Sequence, residues 1–520
     1  MSQLPDYVAS AKPNPPENRV GWLTSTAATY AGIMLWFVFW SFLPGSGGAA
    51  GGVLSQGLLF ALMSVVIAAF ICYAGFYHVP GMLGMKTGLP LYIVGTSTYG
   101  VQGGFLMPGF LMGCLQFGWL SVNGYAAGLG FALIAGQKAG SAMHLGIGVI
   151  WAIVAAFIGL KGIKYVGMVA SYMPIIPVVA LICLLAATIG GIFKFDPGVF
   201  HEEKNTAVQT TSIAPSVAEP VGIIAEDAAG GAESNETIAP SEEAPSVTAA
   251  NPAKSADVKP PVGLYGKGTL GSLAGQLGVL SLICAYIVGF FATAGAAGCD
   301  MGSNNKDRNA IIFAGLVGIA GATIFTGAIA LIAIAGAQGS GTLAGAELNP
   351  YESIKTLMGS STGGVFALLL AIAAFPSACF SSLIAANSFK TTLPKVNPFI
   401  SCGIGTAVAC VLIVTTLAGK ADFVFGFIGA SFGPVCGAMM ADYLLAGKKW
   451  AGPRAGFNLA GWISLAVGFL VGGLPLLGIL SSVIPCPPVS AFVVGFALYW
   501  FLAKAGLESP KLDMPQRIDA

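Results

Sequence analysis

The sequence LMGCLQFGWLSVNGYAAG occupies residues 111–128, inside an apolar run from 104 to 134 that has no Asp, Glu, Lys or Arg. A helix that crosses a bilayer needs about 20 predominantly apolar residues. Gln116, Trp119 and Asn123 follow one another at i, i+3 and i+7, which places two amides and an indole on one helix face. Because polar groups are costly in hydrocarbon, this face predicts a binding site or, alternatively, hydrogen bonds that join helices.

The whole chain has the composition of a membrane protein. Of its 520 residues, 55% are hydrophobic and only 9% are charged, whereas soluble domains carry about 25% charged residues. This composition excludes a soluble globular enzyme, a disordered chain and, with a net charge of +1, a protein that attracts nucleic acid. The ten cysteines are scattered through apolar runs without CxxC pairs, so we interpret them as small buried residues.

Apolar runs separated by Gly, Pro, Asn or basic residues predict an all-α protein with twelve transmembrane helices. The predicted spans are 22–44, 56–77, 104–134, 144–160, 166–194, 270–300, 309–338, 360–389, 398–418, 421–446, 456–481 and 485–505. The polar stretch before the first span has no basic region followed by a short apolar region, so it does not have the pattern of a cleaved signal peptide.

The basic residues orient these spans. With both termini on the cytoplasmic side, inner segments hold 15 of the 23 Lys and Arg residues, short outer loops hold three, and one long connection holds five. Because cytoplasmic loops carry the excess of Lys and Arg, the sequence predicts a cell (plasma or inner) membrane protein with cytoplasmic termini.

The long connection, residues 195–268, has a different character. It is rich in Ala, Pro, Ser, Thr and Glu, and its residues 200–260 contain ten acids against three lysines. Such a segment cannot bury enough apolar surface to offset its ordering entropy. We expect a disordered acidic loop on the extracellular or periplasmic side, acting as a spacer or, alternatively, as a regulatory or partner-binding segment.

The sixth and eighth spans carry further polar and helix-breaking residues. In the sixth, Gly289 and Gly295 bracket Phe290, Phe291 and a hydroxyl at Thr293. Clustered glycines predict either a helix that unwinds at a binding site or close helix packing. In the eighth, Pro376 predicts a kink, followed by Ser377.

Other chemistry has little support in the sequence. We interpret Asp300 and Asp442, near inner span ends, as caps or partners of loop bases, and His78 and His144 as structural. The sequence lacks an HExxH motif, a Walker A motif and a cluster of metal ligands. We therefore expect a protein that is not an enzyme and has no cofactor.

Four stretches resemble the nucleobase–cation symporter family of cytosine, purine, allantoin and hydantoin permeases. They are GMKTGLPLYIVGTSTYGVQGGFLMPGFLMGCLQFGWLSVNGYA (84–126), IVGFFATAGAAGCD (287–300), FPSACFSSLIAANSFKTTLPKVNPF (375–399) and FGFIGASFGPVCGAMMADYLL (425–445). They are similar to the family's second inner loop and third helix, its broken sixth helix, its eighth helix and its tenth helix.

The resemblance implies the leucine-transporter fold, in which five helices are repeated with inverted topology. Its expected segments are a cytoplasmic tail (1–21), a first repeat (22–194), the acidic loop (195–268), a second repeat (269–446), two peripheral helices (447–505) and a second cytoplasmic tail (506–520).

The resemblance also implies a substrate site between helices 1, 3, 6 and 8. In it, Trp119 would stack on a heterocycle, Gln116 would hydrogen-bond its edge, and Phe291 would supply the opposite aromatic face. The remaining expected contacts are Asn123, Gly289, Phe290 and Ser377, of which Ser377 stands where the family pattern suggests an Asn. The first helix (TYAGIMLWFVFWSF, 29–42) should also line the site.

The coupling ion departs from the family's pattern. In several members, hydroxyls or amides of the eighth helix bind sodium, whereas the matching positions here, around Ala371 and Ile372, are apolar. The coupling cation is H⁺ or Na⁺, and this departure favours H⁺.

The sequence thus predicts a transporter that imports a nucleobase or related planar heterocycle by cation-coupled alternating access. Its partners would be the heterocycle, the cation and the lipid bilayer, without nucleic acid, and the protein would be a monomer or weak oligomer. The alternatives are a transporter of the same fold for another solute, such as hydantoin, allantoin or an amino acid, and a channel or non-transporting sensor.

Overall fold

The computed structural model describes residues 4–22, 52–162, 165–166, 173, 175–197, 271–342, 350–393, 395–480 and 483–514. These ranges are helical and contain two isolated β-bridges but no β-strand. The predicted first span (22–44), apart from its first residue, and nearly all of the acidic loop lie outside the described residues.

The main helices are numbered here in chain order. They are α1 (Leu58–Thr87), α2 (Leu111–Ile134), α3 (Ala142–Lys161), α4 (Ile175–Thr188), α5 (Leu273–Ala296), α6 (Arg308–Gly339), α7 (Ser360–Ala373), α8 (Phe375–Thr392), α9 (Pro398–Val414), α10 (Ala421–Leu445), α11 (Leu459–Gly473) and α12 (Pro487–Lys504).

These helices correspond to the predicted spans two to twelve. In the described part of the chain, ten helical segments are long and apolar enough to cross a membrane, and α9 is a shorter apolar helix. The chain is therefore a multi-pass membrane protein. The helical segment that contains the predicted third span (104–134) is longer than predicted and runs from Thr96 to Ile134. It is interrupted at Met107, which has a non-helical backbone, and Pro108, and its regular part α2 begins at Leu111.

The eighth span is interrupted as Pro376 predicts. It forms two helices, α7 and α8, which meet at Ala374. Pro376 lies in the first turn of α8, where the missing N–H removes no helical hydrogen bond. At this break the Ser377 hydroxyl donates to the carbonyl oxygen of Ala374 at 2.7 Å, so the break shapes the surroundings of a predicted site residue.

Small residues bring the helices into backbone contact. Gly124 of α2 and Gly148 of α3 lie against each other. A Cβ added to Gly124 would lie 2.8 Å from the carbonyl oxygen of Gly148, and a Cβ added to Gly148 would lie 2.9 Å from the carbonyl oxygen of Gly124. Membrane helices associate through such contacts, because lipid tails provide no hydrophobic force between them. Many of the glycines therefore allow close packing between helices.

Both described chain tails lie at one end of the bundle, which we call the tail face. The Arg19 guanidinium donates to the carbonyl oxygen of Met85 at 2.7 Å, near the end of α1. Asn14 Nδ2 donates to the carbonyl oxygen of Ser303 at 3.0 Å, just before α6. The segment before the first predicted span thus holds the end of α1 against the connection between α5 and α6.

A buried ionic network centred on Asp442 joins the other elements of the tail face. Asp442 Oδ1 accepts from Arg454 Nη1 at 2.9 Å, and its Oδ2 accepts from Ser97 Oγ at 2.5 Å. Arg454 Nη2 donates to Glu508 at 2.6 Å, and the Tyr499 hydroxyl lies 3.1 Å from both carboxylates. The interpretation that Asp442 pairs with a loop base agrees with this geometry.

His144 has the structural role that the sequence predicts. Its Nδ1 accepts from the backbone N–H of Gly140 at 2.8 Å, and its Nε2 lies 3.0 Å from the carbonyl oxygen of Tyr125. Because Nδ1 acts as an acceptor, the ring is neutral and its proton is on Nε2. The imidazole therefore ties the start of α3 to α2.

The Asp442 network generates a stability prediction. Asp442→Asn keeps the shape of the side chain but leaves the buried Arg454 with only Glu508 as an ionic partner. We expect a loss of about 3 kcal/mol, measured as a lower Tm of the purified protein in detergent. The control is Asp513→Asn, since Asp513 is an exposed acid of the same tail face. Equal Tm values for the two variants would contradict this role of Asp442.

Candidate functional site

Trp119 of α2 lies in an aromatic cluster formed with α5 and α10. The indole is 5% exposed, and its Nε1 donates to Thr293 Oγ1 at 3.2 Å. The Phe290 ring meets it edge-on, with centroids 4.8 Å apart at 84°, and the Phe425 ring lies nearly parallel to it, also at 4.8 Å and at 29°. We call Trp119, Phe290, Thr293 and Phe425 the indole cluster.

The two phenylalanines of α5 have different positions. Phe290 contacts the indole, whereas the ring of Phe291 packs edge-on against Phe290, with centroids 4.6 Å apart. Both side chains are buried. Among the ring contacts of the described residues, Trp119 pairs with Phe290 and Phe425, so Phe290 lies closer to the indole than the residue expected to face it.

Gln116 lies one turn before Trp119 and is 3% exposed. Its Nε2 donates to Met112 Sδ at 3.6 Å. A thioether sulfur is a weak acceptor, so this contact leaves the amide able to exchange it for a stronger partner. Gln116 therefore remains suited to hydrogen-bond the edge of a ligand.

Asn123 and Ser377 form a bond between helices. Ser377 Oγ of α8 lies 2.7 Å from Asn123 Oδ1, and Asn123 Nδ2 donates to the carbonyl oxygen of Trp119 at 3.1 Å. Both side chains are buried. This arrangement fits the alternative of a hydrogen bond that joins helices, and a substrate contact by either residue stays a prediction.

Gly289 serves packing in this conformation. The helix α5 is continuous from Leu273 to Ala296, and its turn comes at Ala297. A Cβ on Gly289 would lie 2.7 Å from the carbonyl oxygen of Phe425, and one on Gly295 would lie 2.6 Å from the Cβ of Phe76. The expected unwinding at these glycines is therefore absent here, because each of them is used for close contact with a neighbouring helix.

The indole cluster and its amide neighbours contain no ionisable side chain. Asp442 lies in the ionic network at the tail face, and Asp300 accepts from the backbone N–H of Leu91 at 3.3 Å, outside α5. In the described ranges, no three His, Cys, Asp or Glu side chains are grouped so that they could hold a metal ion. The expected contribution of the first helix (29–42) lies outside these ranges.

The bundle and its site define a class of protein. It is a multi-pass helical membrane protein in which an uncharged cluster of aromatic, amide and hydroxyl groups is buried between helices, beside a span broken by proline. Ligand sites in membrane bundles are built in this way, with polar groups placed where they face a cavity or one another.

Solved structures identify the fold. A closed conformation of Mhp1, a nucleobase-cation-symport-1 family transporter with bromovinylhydantoin bound, has a TM-score of 0.60 and 14% identity, covering 96% of this chain and 95% of that one. An inward-facing conformation of Mhp1 has a TM-score of 0.59 and 15% identity, with the same coverage. No protein-family model and no curated protein matches the sequence.

The predicted all-helical leucine-transporter architecture is confirmed by this likeness, which extends over nearly the full length of both chains. The count of twelve transmembrane helices stays a prediction, because ten candidate spans lie among the described residues. The protein has the leucine-transporter fold, as the resemblance implied. At this identity the comparison shows the fold alone, so the substrate and the roles of individual residues have to be argued from the site.

Sequence reasoning missed Phe425. It lies in a quoted stretch, but as one of 32 phenylalanines it carries no signal of its own. Its position depends on a close approach of two glycines: a Cβ on Gly429 of α10 would lie 3.1 Å from the Cα of Gly289 of α5. Two glycines on different spans do not reveal from the sequence that they meet.

The packing role of Gly289 generates a prediction. Gly289→Ala places a methyl group against the backbone of α10, and we expect a loss of about 1–3 kcal/mol from overpacking, measured as a lower Tm in detergent. The control is Gly403→Ala, since the added Cβ would meet nothing within 4 Å in α9. We expect this control to be neutral or stabilised by up to about 1 kcal/mol.

The two glycine variants separate packing from a hinge. If Gly289→Ala were as stable as Gly403→Ala but had lost ligand binding, Gly289 would act through unwinding of the helix. Our packing interpretation would then be contradicted.

Proposed function

We propose that this chain is a secondary active transporter of the nucleobase–cation symporter family that imports a nucleobase or related planar heterocycle by cation-coupled alternating access. The observation that carries the proposal is the buried indole of Trp119 beside the Gln116 amide, within a cluster that holds no charge. An aromatic face stacks on a flat ring, and an amide offers both a donor and an acceptor to its edge.

The uncharged cluster supports a neutral substrate. An amino acid substrate brings a carboxylate and an ammonium group, which are costly to bury without compensating charges or helix ends. Gln116, Trp119 and Phe290 offer none of these. A neutral heterocycle therefore fits these three residues better than an amino acid does.

We further propose that the tail face is cytoplasmic and that the membrane is the plasma or inner membrane. The support is the distribution of Lys and Arg, with 15 of 23 in segments on the side of the termini and three in short loops on the other side. The domain division into two five-helix repeats, with boundaries at 22–194 and 269–446, is part of the same proposal.

Proton coupling is the finer proposal for the cation. The helix α7 from Val365 to Ala373 has no hydroxyl or amide side chain, and Ala371 is fully buried. Ser381 and Ser382 of α8 donate to carbonyl oxygens one turn earlier in their own helix. This side-chain set offers little to a sodium ion, which prefers several oxygen ligands.

The stacking role of Trp119 generates a binding prediction. Cytosine, uracil, adenine and hydantoin are tested on the purified protein by thermal shift, since a ligand of the folded state raises Tm by mass action. We expect at least one ring to raise the Tm of the wild type. Trp119→Ala should abolish the shift, and Trp119→Phe should retain part of it because a smaller aromatic face remains.

The matched control is Trp500→Ala. Trp500 lies in α12, where it stacks on Phe496 away from the indole cluster, so its loss should leave ligand shifts unchanged. A ring that stabilises Trp119→Ala as strongly as the wild type would contradict the site. Binding without uptake into proteoliposomes would favour the sensor alternative over a transporter.

The coupling proposal generates a separate prediction. We expect uptake of the bound ring into proteoliposomes to be accelerated several-fold by an inward proton gradient and to be unchanged by an inward sodium gradient. The measurement is radiolabelled uptake with each gradient imposed alone, and an ionophore that collapses the gradient is the control. Acceleration by sodium alone would contradict proton coupling and leave the transporter proposal intact.

A further inference from the structure

Phe425 of α10 is the closest parallel neighbour of the indole and has no part in the predicted site. We infer that Phe425 is a positioning residue that determines specificity: its ring covers one face of Trp119, so that a planar substrate stacks on the opposite face of a fixed indole. This inference rests on the proposed function and deepens it, since it states how the same site selects flat rings.

The geometry leaves no space for a ligand between the two side chains. Their ring centroids are 4.8 Å apart at 29°, whereas a ring inserted between them would require about 7 Å, since carbon atoms in contact are about 3.5 Å apart. One face of the indole is therefore already occupied. Any ring that stacks on Trp119 in this conformation uses the other face.

The backbone of Phe425 is held by a close crossing of helices. The carbonyl oxygen of Phe425 lies 2.7 Å from where a Cβ on Gly289 would be, and Gly429 meets Gly289 one turn further along α10. The Phe425 side chain is 1% exposed. Because the two backbones touch here, the Phe425 ring has little freedom to withdraw from the indole while this crossing persists.

The indole is fixed from two further directions. Thr293 accepts its N–H at 3.2 Å, and Phe290 meets it edge-on. These contacts come from α5, whereas the indole itself is carried by α2 and Phe425 by α10. The plane of Trp119 is thus set by residues of two other helices, and Phe425 makes the contact that is parallel to this plane.

The test compares a planar ring with its puckered analogue. Uracil and 5,6-dihydrouracil share the same imide edge, but saturation of the C5–C6 bond removes the flat face. A substrate that stacks on a fixed indole should bind more tightly as uracil. The ratio of the two Kd values therefore reports stacking and is insensitive to a uniform loss of folded protein.

Two variants separate the aromatic ring from the volume of Phe425. Phe425→Leu fills most of the space without an aromatic face, and we expect it to lower the preference for uracil about three- to tenfold, the range for one aromatic pair. Phe425→Tyr keeps the ring and should retain the wild-type preference within twofold. Phe425→Met is a second non-aromatic variant, to be used if Phe425→Leu does not fold.

The possible outcomes distinguish failure of the proposed function from failure of the inference about Phe425. If the wild type binds no ring of the panel, the proposed function fails, and the inference fails with it. If the wild type binds rings of the panel but does not prefer uracil over 5,6-dihydrouracil, the inference alone is overturned. The inference alone is also overturned if Phe425→Leu and Phe425→Met keep the wild-type preference for uracil. A preference lost in Phe425→Leu or Phe425→Met and kept in Phe425→Tyr supports the inference.

Discussion

Hydrocarbon offers no hydrogen-bond partner, so a polar group within the spans is costly unless the protein itself satisfies it. Trp119 and Asn123 show how α2 meets this constraint. The indole N–H donates to Thr293 of α5, and the Asn123 carbonyl oxygen lies 2.7 Å from the Ser377 hydroxyl of α8. One helix is thereby bonded to two different neighbours, within a site that carries no charge.

The buried ion pair between Asp442 and Arg454 lies at an end of the bundle, where this constraint is weakest. The Asp442–Arg454 pair is buried, but it lies at the tail face, where Glu508, Ser97 and Tyr499 complete its hydrogen bonds. A buried ion pair adds little net stability over apolar residues, but removal of one partner is costly. The network therefore fixes which loops and tails meet at this end of the bundle.

The helices could be predicted from the sequence because the length and apolarity of a span are local properties. The kink at Pro376 and the shared face of Gln116, Trp119 and Asn123 are local too, and they follow from the chemistry of proline and the period of a helix. The likeness of the sequence to a known family supplied the arrangement of the helices, which no single span specifies.

The rest depends on contacts between distant segments. Phe425 is 306 residues from Trp119 along the chain, and nothing in either local sequence links the two. The role of the glycines of α5 was ambiguous for the same reason, because glycine is expected both where a helix unwinds and where two helices pack closely. The continuity of α5 and the contacts of Gly289 with Phe425 and of Gly295 with Phe76 show that packing prevails in this conformation.

The helix α10 connects the site to the peripheral helices. Pro434 fits against two glycines, Gly468 of α11 and Gly495 of α12, whose added Cβ atoms would lie 2.4 Å and 2.6 Å from it. On its other side, α10 meets α5 at Gly289. A proline seated against glycines cannot slide without a clash, so α10 is held firmly against α11 and α12. The contact between Phe425 and Trp119 lies next to the Gly289 crossing, so a change in that crossing would alter the position of the indole directly.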